Sequence, residues 1–339
     1  MHISFLPLGD KDAASTRIRV FILREALCSS GIHTTIGYDA SADVLVVQKR
    51  VDKTVFRLAK RAKREGKLVV YDVDDFGDAL AYCCSPKYLR KVMALADLVT
   101  TDTQCRLEYI RTNFNPLHIV VLPNAVDYYA KECVRPPLVA DDKLRVLWFG
   151  GIKNFGMFEK HLSSLSAMPQ VKIVVVTAPS EEITKKYPHV EFIHWSLEQF
   201  TQILQGCHIS CLMHDGTDID RAKSNNKMVT SIAWGVPAVV SDTPDYLRTA
   251  KESGVEYTVF NNEKQLQQAI MNLRNNEARL AYLDTAQPRI WEKYSPDAIK
   301  SIFLEAIDAA LKGKSAKHSV SSSLFRKSVK AVLAPFRMV

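Results

Sequence analysis

Lys223 and Lys227 are the residues of this 339-residue chain whose types and spacing point most directly to chemistry. They open residues 223–240, Lys-Ser-Asn-Asn-Lys-Met-Val-Thr-Ser-Ile-Ala-Trp-Gly-Val-Pro-Ala-Val-Val. The stretch reads as a helix begun by two lysines, closed at Gly235 and followed at once by a buried strand. Residues four apart share a helical face. At a helix N-terminus the free main-chain N–H groups and the positive dipole end add to the two ammonium charges, which suits a diphosphate. Asn226 joins them as a candidate contact. The plainer reading is an amphipathic helix with two solvated lysines.

Two other clusters could act with them. Trp148-Phe149-Gly150-Gly151-Ile152-Lys153-Asn154 follows a strand pattern and precedes a helix. Gly150 and Gly151 permit close approach of backbone to phosphate, and Lys153 can add charge, although any strand-to-helix turn may use glycine. The segment lacks G-x-G-x-x-G, which argues against a nicotinamide site. Tyr71-Asp72-Val73-Asp74-Asp75-Phe76 is the densest acidic cluster. Carboxylates gathered at a strand end repel one another unless a cation, an arginine or a substrate hydroxyl relieves them. Readings open for Asp72, Asp74 and Asp75 are a metal-binding Asp-x-Asp, helix capping, and proton acceptance or hydroxyl binding. His214-Asp215-Gly216-Thr217-Asp218 is a weaker candidate for lining a sugar pocket.

These residues need a frame, and the apolar pattern supplies one. Short Val/Ile-rich runs at Ile3–Leu6, Val44–Val47, Leu68–Val73, Leu98–Thr101 and Ile119–Leu122 alternate with helix-period segments. A second series runs through Val146–Phe149, Ile173–Thr177, Glu191–His194, Ile209–Met213, Ala238–Ser241 and Tyr257–Phe260. Buried strands alternating with helices predict parallel, doubly wound sheets. The expected fold class is therefore α/β, with two Rossmann-like domains facing across a cleft and ligands at the C-terminal strand ends. The expected divisions are residues 1–134, residues 135–312 with closing helices, and a tail at 313–339. Trp291, Tyr294, Ile299, Ile302 and Phe303 either fold back on the first domain or pack within the second.

The run Lys-Ser-x-x-Lys, short apolar helix, Gly-Val-Pro and apolar strand resembles the donor-binding segment of GT-B glycosyltransferases of the family-four type, which build bacterial surface glycans. Leu122-Pro123-Asn124-Ala125-Val126-Asp127 is similar to their Pro-Asn-Gly-Val-Asp hinge, with alanine for the usual glycine. The resemblance spans roughly residues 1 to 310. It implies that Gly150, Gly151, Lys153, Lys223 and Lys227 face a donor diphosphate, and that Arg17, opening the first helix, points into the cleft, with Arg19 at the surface. It implies that the acidic cluster lies near the acceptor. It further implies a nucleotide-sugar donor, a lipid-linked or polymeric glycan acceptor, and no metal or other cofactor. The chain departs from the family where two glutamates are usual: those positions are Ala222 and Thr230. Thr230 can bond a ribose hydroxyl, but it is not a carboxylate. Alternatives left open are a transferase-like scaffold without catalysis, and an epimerase or phosphorylase acting on activated sugars.

Bulk properties bound the partners. The net charge is +8, yet residues 49–67 hold nine Lys/Arg against two acids, and residues 312–339 hold seven against none. No zinc-finger spacing or RNA-binding aromatic motif accompanies these patches, which argues against nucleic acid and for an anionic membrane face. Leu324, Phe325, Val329, Val332, Leu333 and Phe336 can line one face of an interfacial helix; docking on a partner protein is the rival reading. Seven scattered cysteines, no signal-peptide pattern and no long apolar run predict a cytoplasmic protein held peripherally at the inner membrane face.

Overall fold

The computed structural model describes residues 1–75, 83–135 and 142–313. Phe76, most of the 135–142 linker and the tail segment expected to form an amphipathic helix lie outside the described residues. The first sheet contains β1 (His2–Leu6), β2 (His33–Ile36), β3 (Val44–Gln48), β4 (Leu68–Asp72), β5 (Leu98–Thr101) and β6 (Ile119–Val121), in the order β2-β1-β3-β4-β5-β6. The second contains β7 (Leu144–Phe149), β8 (Val171–Thr177), β9 (Glu191–His194), β10 (Ile209–Leu212), β11 (Ala238–Ser241) and β12 (Val259–Phe260), ordered β12-β11-β10-β7-β8-β9. Every pairing is parallel.

The central strands read as unbroken Val/Ile/Leu runs because helices cover both faces. β3 and β4 are buried at every residue. β2 was not expected. His-Thr-Thr-Ile is a half-exposed edge strand, so it carries no apolar run to read. The expected strand at Tyr257–Phe260 shrinks to two residues, because Glu256–Thr258 closes one 3-10 turn.

Strand order decides where a ligand can sit. In the first sheet the order reverses between β1 and β3, and in the second between β7 and β10. Loops diverge at such points and leave a crevice beyond the C-terminal strand ends. Large side chains anchor the second sheet: Trp148 and Phe158 are fully buried and stack with centroids 5.6 Å apart. Truncating Phe158 to alanine would cost about 3–5 kcal/mol.

The closing helices divide between the domains. Asn276–Tyr294 gives Tyr282, Leu283, Ala286 and Ile290 to the second core. After Ser295 a helix over 296–313 crosses back, and Ile299, Phe303, Ala306 and Ile307 join the cluster around Ile3, Phe5 and Val44. Ile299, Ile302 and Phe303 therefore pack on the first domain, whereas Trp291 and Tyr294 pack on the second. Among the described residues, no helix is long and apolar enough to cross a membrane.

Candidate functional site

A cavity of about 220 Å³ lies between the two sheets, lined from both domains by the loops that leave their C-terminal strand ends. On the second-domain side, Lys227 enters from the first turn of helix Asn226–Ala233. Its Nζ donates to the carbonyl of Phe149 at 2.8 Å and lies 5.5 Å from the ring centroids of both Trp148 and Phe149. Burial against these rings, and secondly the charge of Lys223, push its pKa down to about 8. Gly150 makes room for it: a Cβ there would stand 2.7 Å from Lys227 Nζ and 3.2 Å from the Trp148 ring. The helix ends at Gly235, whose φ of +84° supplies the left-handed turn before β11.

Lys223 is not on this helix, contrary to the expectation of one shared helical face. The helix begins at Asn226, and Lys223 sits in the preceding turn, bonded to Asp220 Oδ1 at 2.6 Å. Asn225 fixes that turn. Its backbone N–H donates to Asp245 Oδ2 at 2.8 Å, and its side chain donates to Thr249 Oγ1 at 2.7 Å. Both lysines still line the cavity, with His214 and Asn154. His214 stacks on Tyr246 at 5.2 Å, and its backbone N–H donates to Ser241 Oγ at 3.0 Å. Burial first, then Lys227 and Lys223, lower its pKa to about 3, so it stays neutral at physiological pH.

The first-domain side is built from Ala14, Ser15, Asp74, Asp75, Asp102, Arg106 and Asn124. Lys49, at the end of β3, bridges Asp74 at 3.4 Å and contacts Asp75. The two carboxyls diverge. Burial opposes the charge on Asp74, yet Lys49 and Arg19 outweigh it and hold the pKa below the ordinary value. At Asp75 burial dominates and Asp74 adds repulsion, so Lys49 does not prevent a raised pKa. Arg106, one helical turn beyond Asp102, pairs with it and faces both carboxylates. Asn124 spans the walls: its Nδ2 donates to Ser224 Oγ at 3.0 Å, and its Oδ1 accepts from Arg19 at 3.2 Å.

Three expected contacts, Asp72, Arg17 and Thr230, are turned to other partners. Asp72 is buried, accepting from Arg19 Nε at 3.1 Å and from Thr100 Oγ1 at 2.6 Å, so a neighbouring strand and a helix already occupy both its oxygens. Arg19, expected at the surface, is buried by that pairing. Arg17 is buried too. It grips Asp127 through two 2.7 Å bonds and donates to the carbonyl of Lys11 at 2.9 Å, placing it at the domain crossover instead of on a phosphate. A π-helical turn over Arg17–Ile22 accompanies the inward placement of both arginines. Thr230, expected at a ribose, is buried with Oγ1 accepting from the backbone N–H of Asp127 at 3.1 Å. Lys153 is exposed and does not line the cavity; nor do Gly150 and Gly151. Asn226 lines it, while its side chain donates to the carbonyl of Ala125 at 3.1 Å. Sequence reading missed Lys49, Asp102 and Arg106. The only local signal is polarity just after a strand for Lys49 and Asp102, and Arg106 lies on the following helix.

No family model matches the sequence, and no curated protein does. Solved structures do match. Anabaena Alr3699/HepE, crystallised with UDP-glucose, superposes with a TM-score of 0.66 at 13% identity, covering 91% of this chain and 100% of that one. A trehalose 6-phosphate synthase from Burkholderia multivorans gives 0.54 at 13% identity, covering 93% and 78%. A Listeria monocytogenes protein described as a UDP-N-acetylglucosamine 2-epimerase gives 0.55 at 15% identity, covering 92% and 96%. At such identities the likeness speaks for architecture alone: the chain has the two-domain GT-B fold.

Proposed function

We propose that the chain is a glycosyltransferase that moves a sugar from a nucleoside diphosphate donor to a hydroxyl of a lipid-linked or polymeric glycan, in bacterial surface-glycan assembly. The observation that carries this reading is Lys227, half-buried at a helix N-terminus beside the Gly150 turn, at the strand-order reversal of the second sheet. Among the described residues this half-buried ammonium, its pKa lowered by desolvation, has no carboxylate partner, and a diphosphate would supply the compensating anion. That the solved neighbours include a UDP-glucose complex supports the same choice of donor.

In this reading the bond between the anomeric carbon and the β-phosphate oxygen breaks as the acceptor oxygen bonds to that carbon. Lys227, Lys223 and the N–H groups opening helix Asn226–Ala233 stabilise charge gathering on the departing phosphate. The proton of the acceptor hydroxyl passes to a first-domain carboxylate. Of the three candidates Asp75 suits the role best, since Asp72 is committed to Arg19 and Asp74 is held ionised by Lys49 and Arg19. The reading includes no metal ion, and chelation by EDTA is expected to leave turnover unchanged.

The test is turnover of a panel of nucleotide sugars, with and without a soluble glycoside acceptor, by the wild type and by Lys223→Ala/Lys227→Ala. Acceptor-dependent release of the nucleoside diphosphate, lost in the double variant, is expected. Equal rates in the two proteins would sink the site assignment. A changed sugar formed without acceptor would indicate an epimerase instead.

A further inference from the structure

Helices Lys53–Arg64 and Pro86–Leu95 follow β3 and β4 and cover one face of the first sheet together, through Ala59, Ala62, Val92 and Met93. Phe56 and Tyr88 join them, with ring centroids 5.7 Å apart. Their outer surfaces form one cationic field. Lys53, Arg57, Lys60 and Arg64 recur at helical spacing and are exposed, and the second helix adds exposed Lys87, Arg90 and Lys91. Neither helical segment contains an acidic residue. Arg61 and Lys63 pair with Glu65 and Asp97, whereas none of those seven makes an ion pair among the described residues.

So many like charges on one face repel each other, and the repulsion is relieved by an extended anionic surface. Both helices begin at the cleft end of the sheet. Asp52 caps the first, Ser85 precedes the second, and a bridge between Val51 and Cys84 links the two starts beside Lys49. None of the exposed large apolar residues lies on either helix, and Phe56 and Tyr88 are half-buried against each other. The face therefore offers charge without insertion and no stacking platform for bases.

We propose that this two-helix face docks on an anionic lipid bilayer and so holds the acceptor side of the cleft at the membrane. The second clause rests on the transferase reading; lipid binding does not. Binding of this kind is electrostatic, accumulates with each cation, and is screened by salt.

The test is co-sedimentation of the full chain with phosphatidylcholine vesicles, with and without phosphatidylglycerol, alongside Lys87→Glu/Arg90→Glu/Lys91→Glu and the milder Arg57→Ala/Lys60→Ala. The wild type is expected to bind only the phosphatidylglycerol vesicles and to be released by roughly 0.5 M salt. The charge-reversed variant should bind them at least about tenfold more weakly. It should melt like the wild type and turn over donor on a soluble acceptor at the same rate. Undiminished binding by both variants, or equal binding to neutral vesicles, overturns the proposal. Binding to soluble dextran sulfate but not to vesicles overturns it in favour of an acidic polymer. Vesicle binding without nucleotide-sugar turnover by the wild type would leave the docking face standing and remove the transferase reading.

Discussion

The two walls of the cleft solve opposite electrostatic problems. The second-domain wall sets Lys223 and Lys227 beside the carboxylate of Asp220, with Asp245 paired to Arg248 behind them, and keeps His214 neutral. The first-domain wall sets Lys49 and Arg106 against Asp74, Asp75 and Asp102. One wall is thus left with an excess positive charge and the other with an excess negative charge. Such polarity would favour a diphosphate at the second-domain wall and hydroxyl groups at the carboxylates of the first. In the proposed reading, that polarity orients a nucleotide sugar with its anionic end on the later half of the chain.

Removing the negative member should have the largest effect. Asp75→Asn is expected to lower the transfer rate by about 10²–10⁴-fold, with the nucleotide affinity unchanged by calorimetry. A rate within a few-fold of wild type would shift the proton acceptor elsewhere. Removing the positive members should follow closely: Lys223→Ala/Lys227→Ala is expected to reduce kcat by about 10²–10³-fold and to weaken nucleotide binding as well.

Asp72 separates a structural carboxylate from a reactive one. Asp72→Ala leaves Arg19 buried without its partner and should destabilise the fold by about 3–5 kcal/mol in denaturant titration. A stable, inactive Asp72→Ala would instead return that residue to the chemistry.

The smallest effect is in pH. With its pKa lowered to about 8, Lys227 is charged below that pH and loses its proton as pH rises through it. Nucleotide binding favours the charged form, so the affinity should be flat below about pH 7 and fall up to about tenfold per unit above pH 8. Stability has the other sign. The buried charge disfavours the fold below pH 8, and that penalty is relieved between pH 8 and the ordinary lysine value of 10.5. An affinity that falls identically in Lys227→Ala would detach the step from this residue.

Much of the frame was legible because burial leaves a short-range mark. β3, β4, β10 and β11 are Val/Leu/Ile-rich and buried throughout, and each was readable from its own run. β2 was not, since an edge strand with exposed ends keeps its polar residues. The two lysines and the Gly150 turn were readable as local motifs, but the shared helical face was not there: only Lys227 lies on the helix, and Lys223 sits in the turn before it. Arg17 and Thr230 were read as ligand contacts, but their partner in the fold is Asp127, more than a hundred residues away from each.

From the sequence alone came the doubly wound halves, the basic segment at 49–67 and the phosphate-suited lysines, because periodicity, composition and motif spacing are properties of neighbouring residues. Only the tertiary structure decided which polar groups face the cleft and which hold the crossover. Docking of the two domains brings the loops after β4, β5 and β6 beside those after β7 and β10, and nothing local encodes that adjacency. The same packing fixes pKa values: Asp74 and Asp75 are consecutive and both face Lys49, yet Arg19 and a hydrogen bond from Ser15 help to lower the first, while burial and the neighbouring charge of Asp74 raise the second.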